Sequence, residues 1–222
     1  MGFGEEELKN FSTVSFFERF AVGKTVLETF TIFPFSIVLA LALGEALKQC
    51  VTEREGTQGF EVGDIRWDRV LALVTFLSLI LPFYQGMNRY LLHTYGGAAS
   101  QNISAGFLII DGIAFMAESA LFFVMSRNLS ENRWRYFYQT VLALLLVDSG
   151  WGFSAIQHAN DQGVSTIWKW IALNVVTSIL LFVMIKYGKQ FLDQHRIAIL
   201  GACGMIARTV VDYFISWDFY FS

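Results

Sequence analysis

ISAGFLIIDGIAFMAESALFFVM, residues 103–125, decides the fold class, because it is long enough to cross a bilayer yet carries two carboxylic acids. About 30 Å of hydrocarbon takes roughly 20 helical residues, and a helix satisfies every backbone polar group within one segment. Asp111 and Glu118 lie two turns apart on one face of that helix, with Glu118 roughly 10 Å further along. Ionisable groups at such depth are costly, so they are where function is first sought.

Working outward, stretches of spanning length recur near 26–48, 70–91, 103–125, 136–156, 166–187 and 196–217. The expectation is an all-α polytopic membrane protein: an N-terminal segment over 1–25, then a bundle of six transmembrane helices over 26–222. Short connections make sequential helices antiparallel. Composition agrees, with 55% hydrophobic residues, 22 Phe and 6 Trp and a mean hydropathy of +0.48. A soluble fold would have to bury nearly all those rings, whereas lipid-facing helices need not.

Residues 11–25, FSTVSFFERFAVGKT, are too polar to span, but Phe11, Val14, Phe17, Phe20 and Ala21 recur at helical steps. That pattern predicts an amphipathic helix lying on the membrane surface. The acidic start, Glu5 to Glu7, is unlike the basic start of a cleaved signal peptide. Most of the 16 Lys and Arg fall in the odd-numbered connections. The positive-inside rule makes those connections cytoplasmic and both termini external, which fits a bacterial inner-membrane protein. Trp217, Phe219 and Tyr220 read as an aromatic belt at the outer interface, with no soluble domain expected after them.

Counting at about 1.5 Å per residue from the outer ends puts Asp111, Asp148 and Asn174 about 12 Å deep, Asp212 about 8 Å and Arg208 about 14 Å. Four helices thereby offer polar groups to one layer in the outer half, with Glu118 below it and no basic residue at its depth. Gln85, Asn88, Arg89 and His93, at the end of the second span, are candidates for its rim. Arg208 and Asp212 are four apart and can pair on one helical face. Thr177 and Ser178 extend a polar stripe from Asn174, most simply as packing glue.

Three aspartates against one arginine leave an excess of negative charge, so the layer calls for protonated carboxyls, a bound cation, water, or pairing with Arg89. Two readings follow. In one, Asp111, Asp148, Asn174, Arg208 and Asp212 bind a proton or small cationic solute for transport, and Glu118 relays protons. In the other, the layer is an interhelical ion-pair network, and the protein is a membrane-embedded scaffold or sensor subunit of a larger complex. The lipid bilayer is the first partner in either case, with a homo-oligomer or a partner subunit as the second.

Other chemistry lacks support in the sequence. His93, His158 and His195 form no H-x-x-H or H-x-x-x-H pair, no Walker, dinucleotide or G-x-S-x-G motif occurs, and no Lys inside a span could form a Schiff base. No catalytic residue, cofactor or metal is expected. The net charge of −3 with no long basic run weighs against nucleic acid. Cys50 and Cys203 fall at different depths, so no disulfide is expected. Sequons at Asn10, Asn102 and Asn128 read as chance matches, the last two on opposite faces. Pro34 and Pro82 predict kinks in the first two helices, and the Ala198, Gly201, Ala202 and Gly204 stripe predicts close approach of another helix.

Overall fold

The computed structural model describes residues 33–50, 67–95, 105–129, 133–157, 161–191 and 193–221. Among them are seven helices and no strand: α1 Phe33–Gln49, α2 Trp67–Tyr95, α3 Ala105–Ser126, α4 Trp134–Ala155, α5 Asp161–Phe191, α6 Gln194–Ile215 and the short α7 Trp217–Phe221. The amphipathic helix expected over 11–25 lies outside the described residues, as do Asn10, Asn102 and His158.

Among the described residues four segments are long and apolar enough to cross a membrane: Arg69–Leu91 in α2, Gly106–Ser126 in α3, Gly163–Gly188 in α5 and His195–Ile215 in α6. They mark an integral membrane protein. Of the six expected spans, four meet that test among the described residues, and residues 26–32 of the first expected span lie outside them. As described, α1 runs for 17 residues, and α4 is made more polar by Arg135, Gln139 and Asp148. Large apolar side chains face outward, Ile113 and Leu180 at 65% exposure and Phe214 at 84%, an arrangement that water penalises and lipid does not.

Helix order in space differs from helix order in sequence. α3 packs on α4, α4 on α5, α5 on α6 and α6 on α2, and α2 also meets α3, which closes a ring of five. α1 stands outside the ring and packs chiefly on α3. The interior is filled by aromatic edges, such as Phe76 and Phe83 against Phe122 with ring centres 6.0 and 5.5 Å apart. At the far end, Arg69 Nη1 donates to Gln49 O at 2.6 Å, so a cation from α2 caps the last carbonyls of α1.

Pro82 sits buried inside α2, which continues on both sides of it. A proline there cannot donate to the carbonyl four residues earlier, and in lipid that carbonyl needs another donor. Thr209 of α6 supplies it, with Oγ1 donating to Ser78 O at 2.6 Å. Pro34 is the second residue of α1 as described.

The small-residue stripe of α6 works differently from expectation. Gly201 and Ala202 are buried, but a Cβ at Gly201 would fall inside the Tyr138 ring. The glycine therefore makes a seat for a tyrosine of α4, whose hydroxyl donates to Ala198 O at 3.2 Å, and not a contact between helix backbones. Gly204 is exposed and has nothing within 4 Å of its missing side chain.

The belt reading of the chain end also needs correction. α6 ends at Ile215, Ser216 breaks it, and α7 turns Tyr220 inward to 2% exposure while Trp217 and Phe221 stay outside at 60% and 52%. The turn is held by Trp170 Nε1, which donates to Ser216 Oγ at 2.6 Å.

Candidate functional site

The site is built from α6 outward. Arg208 and Asp212 fall one turn apart on its inward face, and Nη1 donates to Asp212 Oδ2 at 2.9 Å with side chains only 4% and 3% exposed. Nη2 donates to Asn174 Oδ1 of α5 at 2.7 Å. Asn174 carries an acceptor and a donor on one amide, and its Nδ2 donates in turn to Asp148 Oδ2 of α4. Three ring helices are thereby joined by one chain: Asp148, Asn174, Arg208, Asp212. The guanidinium also lies 5.7 Å from the centre of the Phe83 ring of α2, within cation–π range.

A partly open cavity of about 30 Å³ lies against this chain. Its ionisable lining is Glu118, Asp148, Arg208 and Asp212, and all five ring helices contribute to its wall. Phe83, Phe115 and Trp151 make much of the rest apolar. Glu118 is 2% exposed, and its Oε1 has no hydrogen-bond partner among the described residues. Arg208 Nε is in the same position.

The expected five-residue layer is therefore divided. Asp148, Asn174, Arg208 and Asp212 meet; Asp111 does not join them and does not line the cavity. Its Oδ2 accepts from Tyr95 Oη at 2.8 Å and its Oδ1 from Trp151 Nε1 at 2.9 Å. Trp151 stands three residues, or about one turn, after Asp148 on α4. Glu118, expected below the layer, shares the cavity with it.

The rim residues separate as well. Gln85 Oε1 accepts from Tyr213 Oη at 3.1 Å and its Nε2 donates to Tyr220 O at 3.4 Å, so it ties α2 to α6 and α7. Asn88 and Arg89 are partly buried and do not line the cavity, so the counter-charge at the site is Arg208 and not Arg89. His93 belongs to α2, but its side chain lies outside the described residues. Thr177 Oγ1 is spent on Leu173 O of its own helix at 2.7 Å, while Ser178 Oγ is buried with no partner among the described residues. Among the described residues no group of three or more His, Cys, Asp or Glu could hold a metal ion.

Sequence reasoning missed Tyr95, Trp151, Trp170 and Tyr220. The available signal was that a buried Tyr O–H or Trp N–H needs an acceptor, and acceptors are scarce in an apolar bundle. Tyr220 Oη reaches Asp212 Oδ1 at 3.4 Å and closes one side of the cavity. Burial, and after it the charge of Asp111, pushes the Tyr95 phenol well above its usual range, so it remains a donor. The same holds for Tyr220 through burial and then Asp212. The chain matches no family model, no curated protein and no solved structure.

Proposed function

We propose that the protein is a six-span membrane protein that conducts or carries a proton or small cation through the polar centre of its helix ring. One observation carries this: Glu118 is buried in a membrane-spanning helix, has an unpartnered oxygen, and faces a cavity shared with Asp148, Arg208 and Asp212. A carboxyl kept only for packing would be expected to have its oxygens bonded, since an unsatisfied buried group costs about 1–3 kcal/mol or more. The cavity's size narrows the cargo. About 30 Å³ holds on the order of two waters, so an organic cation would require the ring to open.

In this reading Glu118 and Asp148 exchange the cargo, Arg208 with Asp212 and Asn174 fixes the field around them, and Asp111 braces α3 against α2 and α4. The count of six spans is supported by packing: α4 lies between α3 and α5, both long apolar spans, and α1 lies along α3. The cytoplasmic side is the one that bears the odd-numbered connections. Proton flux into proteoliposomes under an imposed pH gradient tests the proposal. Flux is expected to fall at least about tenfold in Glu118→Gln, a conservative bound beside the roughly 100-fold or more that a positioned proton-transfer group contributes.

A scaffold or sensor subunit is the second reading. It is favoured by the way Asp148, Asn174, Arg208 and Asp212 satisfy one another, as a purely structural network would. Recovery of a stoichiometric partner from mild detergent, or of a stable homo-oligomer, combined with no flux of any ion, would establish it over transport.

A further inference from the structure

Two buried polar atoms on the cavity-lining residues lack a hydrogen-bond partner among the described residues, and they are opposite in kind. Glu118 Oε1 can accept; Arg208 Nε–H can only donate. Nη1 already bonds Asp212 and Nη2 already bonds Asn174, so Nε is the guanidinium nitrogen without a partner among the described residues. Buried groups left unpaired by protein are routinely completed by internal water when the space is polar and large enough.

We propose that the cavity holds ordered water bridging Arg208 Nε to Glu118 Oε1, and that this bridge makes the site one for protons and not for metal cations. The second half rests on the transport reading above; the first does not. Charge and hydrogen-bond sense eliminate the alternatives. A metal cation would coordinate Oε1 but face the Nε–H and the guanidinium charge. An anion would suit Nε but face Glu118, Asp148 and Asp212. Water alone accepts from Nε and donates to Oε1.

The volume agrees. A water needs roughly 10–15 Å³ of such space, so about 30 Å³ takes about two. The apolar wall of Phe83, Phe115 and Trp151 leaves room for a short file and no more. Asp148 lines the same cavity, and the proposed two-water file runs between it and Glu118. Along that file Asp148 gives its proton to the nearer water as the water at Oε1 gives another to the Glu118 carboxylate. One proton moves, no bond to a metal forms, and Asp148 is then reprotonated from the other side.

The test pairs a structure that resolves ordered solvent with flux of protons, sodium and potassium, for the wild type and Gly86→Ala. Gly86 lines the cavity, and a Cβ there would meet only Tyr220, at 3.6 and 3.7 Å, an ordinary contact that leaves the fold intact. Expected are waters within hydrogen-bond distance of both atoms and loss of at least one in Gly86→Ala. Proton flux is expected to drop about tenfold in that variant, with neither sodium nor potassium flux in either protein. A dry cavity, or an ion on Glu118 at metal–oxygen distance, overturns the bridge. Sodium or potassium flux overturns the proton assignment. Bridging waters with no flux of any kind keep the bridge and remove the transport reading, whereas proton flux through a dry cavity does the reverse.

Discussion

Replacing Arg208 with Met keeps much of the volume and removes the one cation in the polar chain. Asp212 Oδ2 loses a donor at 2.9 Å, Asn174 Oδ1 loses one at 2.7 Å, and two aspartates remain around the site without a counter-charge. Removing one member of a buried pair costs about 3–5 kcal/mol, against about 0–1 kcal/mol for an exposed pair. Side-chain exposures of 4% and 3% put this pair in the first class. The Asn174 contact adds little, since interhelical hydrogen bonds in membranes average about 0.6 kcal/mol. The assay is unfolding free energy in mixed micelles for Arg208→Met, Asp212→Leu and the double variant. The single changes are expected to be strongly destabilising and the double variant to recover part of the loss, because it removes the unpaired charge of Asp212 while Asn174 Oδ1 still lacks its donor. A cost below about 1 kcal/mol for Arg208→Met, or a double variant no better than the singles, refutes the reasoning.

Other substitutions probe separate parts of the account by the same unfolding measurement. Gly201→Ala is expected to lose about 1–3 kcal/mol by displacing the Tyr138 ring, while Gly204→Ala, with nothing in reach, stays within about 0.5 kcal/mol of wild type. Thr209→Val is expected to cost about 1–2 kcal/mol by leaving Ser78 O opposite Pro82 without its donor. Trp151→Phe removes the donor to Asp111 Oδ1 and is expected to cost about 1–3 kcal/mol with little change in proton flux; a loss of flux larger than the loss of folded protein would move Asp111 into the transport path.

Much of the site was legible because apolar runs make each polar residue conspicuous. Arg208 and Asp212 one turn apart announced their own pairing, and Pro82 announced a carbonyl in need of a donor. The order of helices around the ring was not legible. Lipid-facing and ring-facing surfaces are both apolar, so periodicity does not say that α1 packs chiefly on α3 or that α6 meets α2. Depth was legible only to about one turn, which separated Asp111 from the other four and brought Glu118 to them. The inward turn of Tyr220 was hidden for a related reason: at a membrane interface an aromatic cluster reads the same whether it faces lipid or folds back over a cavity.

The most direct measurement is proton flux in proteoliposomes for wild type and Glu118→Gln, reconstituted at equal folded protein. The account predicts flux above that of protein-free liposomes in the wild type and at least about a tenfold loss in the variant. Equal flux in the two proteins would contradict it.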